Sequence, residues 1–246
     1  MAFDGTVTLV LAATSGIGGA LARRIRAAGG TVIPAGRNRE KLAAIAAELG
    51  EAGIEFDAAS FDSVESAVQQ AASRSGRLDG VALCSGSLLL KPAHLTTEAE
   101  YRATMAANID AAFAAVRAAA KAMMNTGGSI VLVSSAAARI GLANHEAIAA
   151  AKGAIIGLTL SAAASYAARG IRVNCVAPGL TETPLTARIT GNETSRKASE
   201  AMHALGRIGR PDDVASAMAW LLDPDNSWVT GQIIGVDGGL GSVRPR

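Results

Sequence analysis

The chain has 246 residues, which suits one large α/β domain or two small ones, and half of these residues are hydrophobic, enough for a large core. Its formal net charge of +2 is close to neutral and gives no support to a nucleic-acid partner. We find no apolar run of membrane-spanning length and no signal peptide, so we expect a cytoplasmic protein with neither a membrane nor a nucleic-acid partner.

Apolar segments typical of strands alternate with alanine-rich segments typical of helices. The predicted strands lie at residues 6–12, 31–35, 54–57, 80–84, 129–134, 172–176 and 232–236. The predicted helices lie at residues 17–28, 39–49, 63–75, 98–124, 144–168 and 212–222. This alternation predicts an α/β fold, a seven-stranded parallel sheet with helices on both faces. In such a doubly wound sheet, ligands bind beyond the carboxyl ends of the strands.

A long polar stretch, residues 181–205, interrupts this alternation because it has no clear strand. It follows the end of the sixth predicted strand, where ligands are expected to bind. We therefore predict that residues 181–205 form a lid over the substrate. A plain surface loop is the alternative.

A glycine-rich turn follows the first predicted strand, within LAATSGIGGALARR at residues 11–24. Gly16 and Gly18 would let the backbone approach a pyrophosphate, whose charge the start of the following helix would favour. Because strand, turn and helix occur in this order, the segment predicts a dinucleotide site.

The end of the second predicted strand indicates which dinucleotide is bound. A fold that prefers NAD usually has an acidic residue here for the ribose 2′-hydroxyl, whereas this chain has Gly36 and then Arg37. An arginine can pair with a 2′-phosphate, so we predict NADP(H) in preference to NAD(H), with NAD(H) still possible. The nearby Arg39 and Lys41 are expected to be solvated helix charges.

The two cysteines, Cys84 and Cys175, fall in apolar strand-like segments. We predict that they are small core residues rather than a disulfide or metal ligands, because no histidine or further cysteine lies near them in the sequence. No metal site is predicted.

Taken together, these motifs resemble the short-chain dehydrogenase/reductase family over residues 6–239, most closely its bacterial 3-oxoacyl-reductase branch. The further similarities are Asp57 after the third strand, Asn108, Ser134–Ser135, Lys152, RVNCVAPGLTETP at 172–184 and TGQIIGVDGG at 230–239. The resemblance implies a single-domain Rossmann-type fold over residues 1–246. It also implies a homotetrameric oxidoreductase that acts on a small carbonyl or alcohol substrate.

The resemblance further implies roles for individual residues. Ser135 would hydrogen-bond the substrate oxygen, Lys152 would hold the nicotinamide ribose, and Asn108 would support a water that relays protons to the lysine. The implied cofactor-binding positions are Ala12, Thr14, Ser15, Gly16, Ile17, Gly18, Arg37, Asp57, Ala58, Cys84, Gly86, Lys152, Pro178, Gly179, Thr181 and Thr183.

Three departures from the family pattern bear on function. Ala12 stands where the family has a glycine, a change that a small shift would absorb if its φ angle is negative. Leu83-Cys84-Ser85-Gly86 replaces Asn-Asn-Ala-Gly. Most importantly, Ile148 occupies the place of the tyrosine that donates a proton in the family. Loss of a positioned acid typically costs about 10²–10⁴-fold in rate.

His145 is the candidate replacement for that acid. If the helix begins by Asn144, His145 and Lys152 lie about 20° apart around it and share a face. Histidine can donate or accept a proton near neutral pH. The alternative is a polar residue that only lines the pocket or touches a neighbouring subunit. The other histidines, His94 and His203, are expected to be surface residues, with contact to a substrate as the alternative for each.

The leading hypothesis is an NADP(H)-dependent oxidoreductase whose proton comes from His145 or from water held by Lys152. The alternative is a catalytically weak or inactive NADP(H)-binding protein, either a sensor or the structural subunit of a hetero-oligomer. A third reading is a dehydratase or isomerase with no net redox change. The apolar residues 87–90 and Ile148 point to an apolar carbonyl substrate.

Overall fold

The computed structural model describes residues 3–243. Seven strands form one parallel sheet in the order β3-β2-β1-β4-β5-β6-β7, as predicted. They are β1 Val7–Leu11, β2 Thr31–Gly36, β3 Ile54–Glu55, β4 Gly80–Leu83, β5 Gly128–Val133, β6 Ile171–Pro178 and β7 Ile233–Val236. The order of the strands reverses between β1 and β4, and this reversal is where open α/β sheets bind their ligands.

The α-helices cover both faces of this sheet. They are α1 Gly16–Ala27, α2 Arg39–Leu49, α3 Phe61–Ser75, α4 Glu98–Met105, α5 Ala111–Met123, α6 Glu146–Tyr166, α7 Ala187–Thr190, α8 Glu193–Met202 and α9 Pro211–Leu222. One apolar layer lies between the sheet and α3, α5 and α6, and a second lies between the sheet and α1, α2 and α9. Because both faces are buried, the central strands are apolar almost throughout.

Local polar caps set where several helices begin. Ser15, Asn38 and Ser60 each accept a hydrogen bond from the backbone N–H three residues later. Thr97 and Glu100 cap α4 reciprocally, each side chain bonding the other residue's backbone N–H. These short-range signals explain why the predicted helix starts lie close to the observed ones.

Helix α6 with the turn that follows it, Glu146–Arg169, is long and apolar enough to cross a membrane by length and composition alone. The prediction that no segment would reach this length is therefore wrong. In the fold, Ile155, Ala162 and Ala163 of α6 are buried in the layer that covers the sheet. The helix packs as a core helix, which accounts for its apolar composition.

The elements differ from the prediction in three places. The long helix predicted at 98–124 is interrupted by a π-helical turn, Ala106–Asp110, between α4 and α5. Helix α6 begins at Glu146 rather than Asn144. The predicted lid, residues 181–205, holds two short helices, α7 and α8, in addition to irregular chain.

Candidate active site

A cavity of about 450 Å³ opens at the carboxyl ends of β1, β4, β5 and β6. It lies at the place where the sequence predicted the functional residues to cluster. The candidate residues that line it are Ile17, Cys84, Gly86, Ser135, His145, Ile148, Lys152, Pro178, Gly179, Thr181 and Thr183. The structure therefore brings together candidates that are far apart in the sequence.

Lys152 is fixed by two hydrogen bonds that join α6 to the end of β5. Its Nζ donates to the carbonyl oxygen of Val133 at 2.9 Å, and Ser134 Oγ donates to the carbonyl oxygen of Lys152 at 2.8 Å. The residue is 6% exposed, and this burial lowers the pKa of its amine from 10.5 to about 8. The ammonium is thus held at the cavity wall with donor capacity left over.

Asn108 lies in the π-helical turn, where its side chain has several fixed partners. Its Nδ2 donates to the carbonyl oxygen of Thr104 at 2.8 Å and to Ser87 Oγ at 2.9 Å. A Cβ added at Gly86 would lie 2.9 Å from Asn108 Oδ1 and 3.2 Å from Lys152 Nζ. A side chain at Gly86 would therefore crowd both the amide and the ammonium, which favours glycine at this position.

Ser135 follows β5 in an extended conformation and lines the cavity. Its Oγ accepts a hydrogen bond from the backbone N–H of Ala137 at 3.1 Å. That bond uses the oxygen as an acceptor, so the hydroxyl proton is left to be donated to a substrate oxygen.

Ile148 is 3% exposed, lines the cavity and lies one turn before Lys152 on α6. It brings no titratable group to this wall. The chain's two tyrosines are elsewhere: Tyr101 is 41% exposed on α4, and Tyr166 ends α6 and packs against the core. Neither replaces the missing phenol.

His145 lines the cavity, but the geometry expected for it is wrong. It is the residue before α6 rather than a helical one, with φ −111°, and Asn144 adopts a left-handed φ of 63° instead of capping the helix. His145 Nδ1 lies 2.7 Å from the carbonyl oxygen of Ala143. Because a carbonyl only accepts, Nδ1 carries the hydrogen, and Nε2 has no hydrogen-bond partner among the described residues.

The glycine-rich turn has the close packing of a phosphate-binding turn. Ser15 caps α1 by accepting from Gly18 N–H at 3.0 Å. A Cβ at Gly18 would lie 2.2 Å from the Ala12 carbonyl oxygen, and one at Gly16 would lie 3.0 Å from Thr183 Cγ2. Side chains at either glycine would fill the space in front of the helix N-terminus, where an anion is favoured.

Ala12 does not have the negative φ angle at which its methyl group would be tolerated without strain. Its φ is +66°, in the left-handed region that favours glycine. A non-glycine residue there costs about 1–2 kcal/mol. Close by, a Cβ at Gly36 would lie 2.7 Å from Thr14 Cγ2, so the end of β2 must carry a glycine next to this turn.

The basic residues after β2 differ in how they are engaged. The side chain of Arg39 pairs with Glu55 at 2.9 Å. Arg37 is 82% exposed in its side chain and only 4.0 Å from Asp57 Oδ1, a loose contact. The Asp57 side chain also accepts from the backbone N–H of Ala59 at 3.1 Å, and Ala58 between them packs against the core. Arg37 is thus the arginine available to a ligand at this corner.

Two side chains after β4 behave differently, although they are adjacent. Burial raises the pKa of the Cys84 thiol to about 12, so it is an inert neutral group. Ser85 Oγ is buried and has no hydrogen-bond partner among the described residues. An unpaired buried hydroxyl costs free energy that a polar ligand can recover. This orphaned group, with the glycine cradle at α1, fits a dinucleotide laid across the strand ends.

The segment after β6 closes the cavity on the side of the lid. Gly179 N–H donates to the Val236 carbonyl oxygen at 3.1 Å, which continues the pairing of β6 and β7 beyond Pro178. Thr181 is 4% exposed, and Thr183 Oγ1 lies 3.1 Å from Thr186 Oγ1 at the start of the lid. The candidates at these positions are therefore held by the sheet and by the base of the lid.

His203 is a residue for which the sequence expectation is wrong. It lies at the end of α8, is 3% exposed and lines the cavity rather than the surface. The polar sequence around it gives no sign of burial, because the contacts that bury it come from the loops after β6 and β7. His94, by contrast, is exposed as expected.

Comparisons with known proteins agree with this architecture. The family model described as Enoyl-(Acyl carrier protein) reductase matches residues 11–241. A cis-4-hydroxycyclohexanecarboxylate dehydrogenase of Sinomonas cyclohexanicum is 36% identical over 98% of this chain and 99% of its own length. A 3-oxoacyl-(acyl-carrier-protein) reductase of Thermotoga maritima is 33% identical, with 98% and 99% covered.

A solved structure gives the same result. A short-chain type dehydrogenase/reductase from Mycobacterium ulcerans superposes with a TM-score of 0.92 at 33% identity, covering 100% of this chain and 93% of that one. Fold, site position and sequence therefore agree, and the chain belongs to the short-chain dehydrogenase/reductase family.

Proposed function

We propose that the protein is an NADP(H)-dependent oxidoreductase that interconverts an apolar carbonyl compound and its alcohol without the usual tyrosine acid. The observation that carries this proposal is that Ser135 and Lys152 line one cavity at the strand ends, with Asn108 packed directly behind Gly86 and Ser87 of the same lining. A protein that only bound a nucleotide would have no chemical need for all three. The relatives are dehydrogenases and reductases, which also favours catalysis over a sensor or structural subunit.

NADP(H) supplies or accepts the hydride when it is bound. The N-terminus of α1 would hold its pyrophosphate, and Arg37 would pair with the 2′-phosphate, since Arg39 is already engaged by Glu55. Lys152 would bind the nicotinamide ribose. Ser85 would supply a further hydrogen bond from its unpaired hydroxyl.

The protein's own residues would then control the substrate oxygen. Ser135 would donate its hydroxyl proton as a hydrogen bond and polarise the carbonyl. The Lys152 charge would stabilise the oxygen as negative charge develops on it. The proton would come from Nε2 of His145 or from a water held between Lys152 and Asn108, because Ile148 cannot supply one.

The substrate proposed is apolar because of the cavity's walls. Leu88, Leu142 and Ile148 line it from the body of the protein, and Leu185 and Ile189 line it from the lid. Among its described lining residues, Lys152 is the only lysine, arginine, aspartate or glutamate, and it would serve the reaction centre. A substrate carboxylate or phosphate would therefore be buried without a dedicated partner.

We also propose a cytoplasmic homotetramer. Exposed large apolar side chains support assembly: Phe113 on α5 is 52% exposed, Leu160 on α6 is 51% exposed and Trp228 before β7 is 99% exposed. Light scattering coupled to gel filtration would test this, and a monomer at micromolar concentration would contradict it.

The first test of function is calorimetric titration with NADPH and separately with NADH. We expect NADPH to bind much more tightly than NADH, and Arg37→Ala to remove most of that difference. Arg39→Ala is the matched control and should keep the preference. A screen of cyclic and linear carbonyl compounds with wild type and Lys152→Ala would follow. Tight NADPH binding with no turnover of any carbonyl would support the non-catalytic alternative.

A further inference from the structure

The side chain of His203 joins the lid to the cofactor side of the cavity. Helix α8 of the lid has no buried residue, yet the residue that ends it, His203, is 3% exposed. The ring lies against Gly179, where an added Cβ would be 2.5 Å from Nε2, and against Gly238 after β7. The histidine is thus enclosed by two loops that do not belong to the lid.

Both ring nitrogens of His203 have partners that fix its chemical form. Nδ1 lies 2.6 Å from the carbonyl oxygen of Ser199, and the backbone N–H of Leu180 donates to Nε2 at 3.2 Å. A carbonyl only accepts and an amide N–H only donates, so the ring is neutral with its hydrogen on Nδ1. One side chain therefore connects the last turn of α8 to the segment directly after Gly179.

Among the described residues, the backbone hydrogen bonds between the lid and the body lie at the base of the lid. Glu182 N–H donates to the Gly209 carbonyl oxygen at 2.9 Å, and Gly209 N–H donates to the Leu180 carbonyl oxygen at 2.8 Å. The N–H of Leu205 donates to the Gly238 carbonyl oxygen at 3.0 Å. Within the lid, Arg196 of α8 also pairs with Glu182 at 3.4 Å, but this ion pair is partly exposed, whereas His203 is buried and bonds the backbone of Leu180.

We propose that His203 is a positioning residue that couples the lid to the cofactor-binding segment Pro178–Thr181. This inference rests on the proposed function, because Pro178, Gly179 and Thr181 are among the positions that the family resemblance assigns to NADP(H) binding. A bound cofactor would reduce the motion of this segment. The hydrogen bonds from Leu180 to His203 and from His203 to Ser199 would then restrain α8 as well. Met202 and Ile189, which line the cavity from the lid, would then be held over the substrate.

Hydrogen exchange on the full-length protein tests this without any turnover. His203→Phe keeps the aromatic shape but removes both nitrogens, and His203→Gln restores a side-chain acceptor. His94→Phe makes the same change at an exposed histidine outside the lid. We expect the Leu180 amide to exchange about tenfold faster in His203→Phe, because one hydrogen bond is lost, and near the wild-type rate in the other two variants.

The same variants measured with saturating NADPH test the coupling. NADPH should slow hydrogen exchange of residues 193–202 in wild type and in His94→Phe. It should not slow this exchange in His203→Phe, and it should slow it again in His203→Gln. Equal protection of α8 in wild type and His203→Phe would overturn the inference, as would an unchanged Leu180 amide. Absence of NADPH binding by calorimetry would instead overturn the proposed function. Matching far-UV spectra and thermal midpoints would show that the variants are folded.

Discussion

Two walls of the active-site cavity are built in different ways. Around Lys152, polar groups are fixed by hydrogen bonds. The lysine ammonium donates to the end of β5, and Ser134 Oγ donates to a carbonyl oxygen of α6. Asn108 Nδ2 donates to Thr104 and Ser87. The apolar part of the lining consists of Leu88, Leu142 and Ile148 from the body and of Leu185 and Ile189 from the lid. The polar groups around Lys152 are bonded to one another without any contribution from Ile148, which belongs to this apolar wall. Under the proposed function, isoleucine in the place of the family's tyrosine would therefore change the supply of the proton and leave the polar framework standing.

The largest expected effect tests this separation directly. Ile148→Tyr should raise carbonyl reduction by about 10²–10⁴-fold if a positioned phenol is all that the apolar wall lacks. The position lines the cavity, so the larger ring has space to extend into it. Steady-state turnover with NADPH and an apolar ketone would measure the gain.

Ile148→Phe is the control for that experiment, because it adds the ring without the hydroxyl. Equal turnover in the tyrosine and phenylalanine variants would mean that the framework already has an adequate acid.

The second largest expected effect tests whether His145 donates the proton. His145→Ala should lower turnover by more than about tenfold, since a general acid contributes at least this much. His94→Ala, at an exposed histidine, should leave it unchanged. Turnover of His145→Ala within a factor of two of wild type would remove the histidine from the mechanism and leave water held by Lys152.

A smaller expected effect is the pH dependence of carbonyl reduction. Burial lowers the pKa of Lys152 to about 8, so its amine loses its charge as the pH rises through that value. Reduction should therefore be constant below about pH 7 and fall above about pH 8 as the neutral form accumulates.

Lys152→Arg keeps its charge over this range and should be less active but insensitive to pH between 7 and 10. A decline with the same midpoint in the arginine variant would assign the titration to another group.

The smallest effect is on stability. Ala12→Gly should stabilise the protein by about 1 kcal/mol, because glycine adopts the left-handed φ of +66° without the cost that alanine has. Ala13→Gly is the matched control: Ala13 is buried and does not have a positive φ, so the loss of its methyl group should destabilise. Urea unfolding of the three proteins would compare them, and a less stable Ala12→Gly would show that the methyl contact outweighs the strain.

The sequence predicts the sheet because apolar strands and alanine-rich helices have distinct periodicities. Ser135, Lys152 and Asn108 are candidates through the family resemblance rather than through local patterns, and their roles stay predictions. The break at Asn108 could not be predicted, because alanine-rich sequence is compatible with both α- and π-helical turns. The start of α6 was misplaced by two residues because Asn144 is as suited to a left-handed turn as to a helix cap.

The features missed by the sequence depend on contacts between distant segments. His203 is buried by glycines that lie at 179 and 238, and no pattern near residue 203 records them. Likewise, the ion pair between Arg39 and Glu55 joins two elements, and no pattern near residue 39 records it. Burial and pairing of this kind require the tertiary structure.

The short parallel bridge between Thr181 and Gly209 has a consequence for engineering. It brings the two ends of the intervening segment side by side, so exchange of that segment would leave the strand ends in place. Chimeras that graft the corresponding segment of a relative between these two residues, with Thr183 and His203 kept, should retain nucleotide affinity while acquiring the donor's choice of ketone. Evolution of new selectivity in this scaffold would then require replacement of one cassette rather than redesign of the whole cavity.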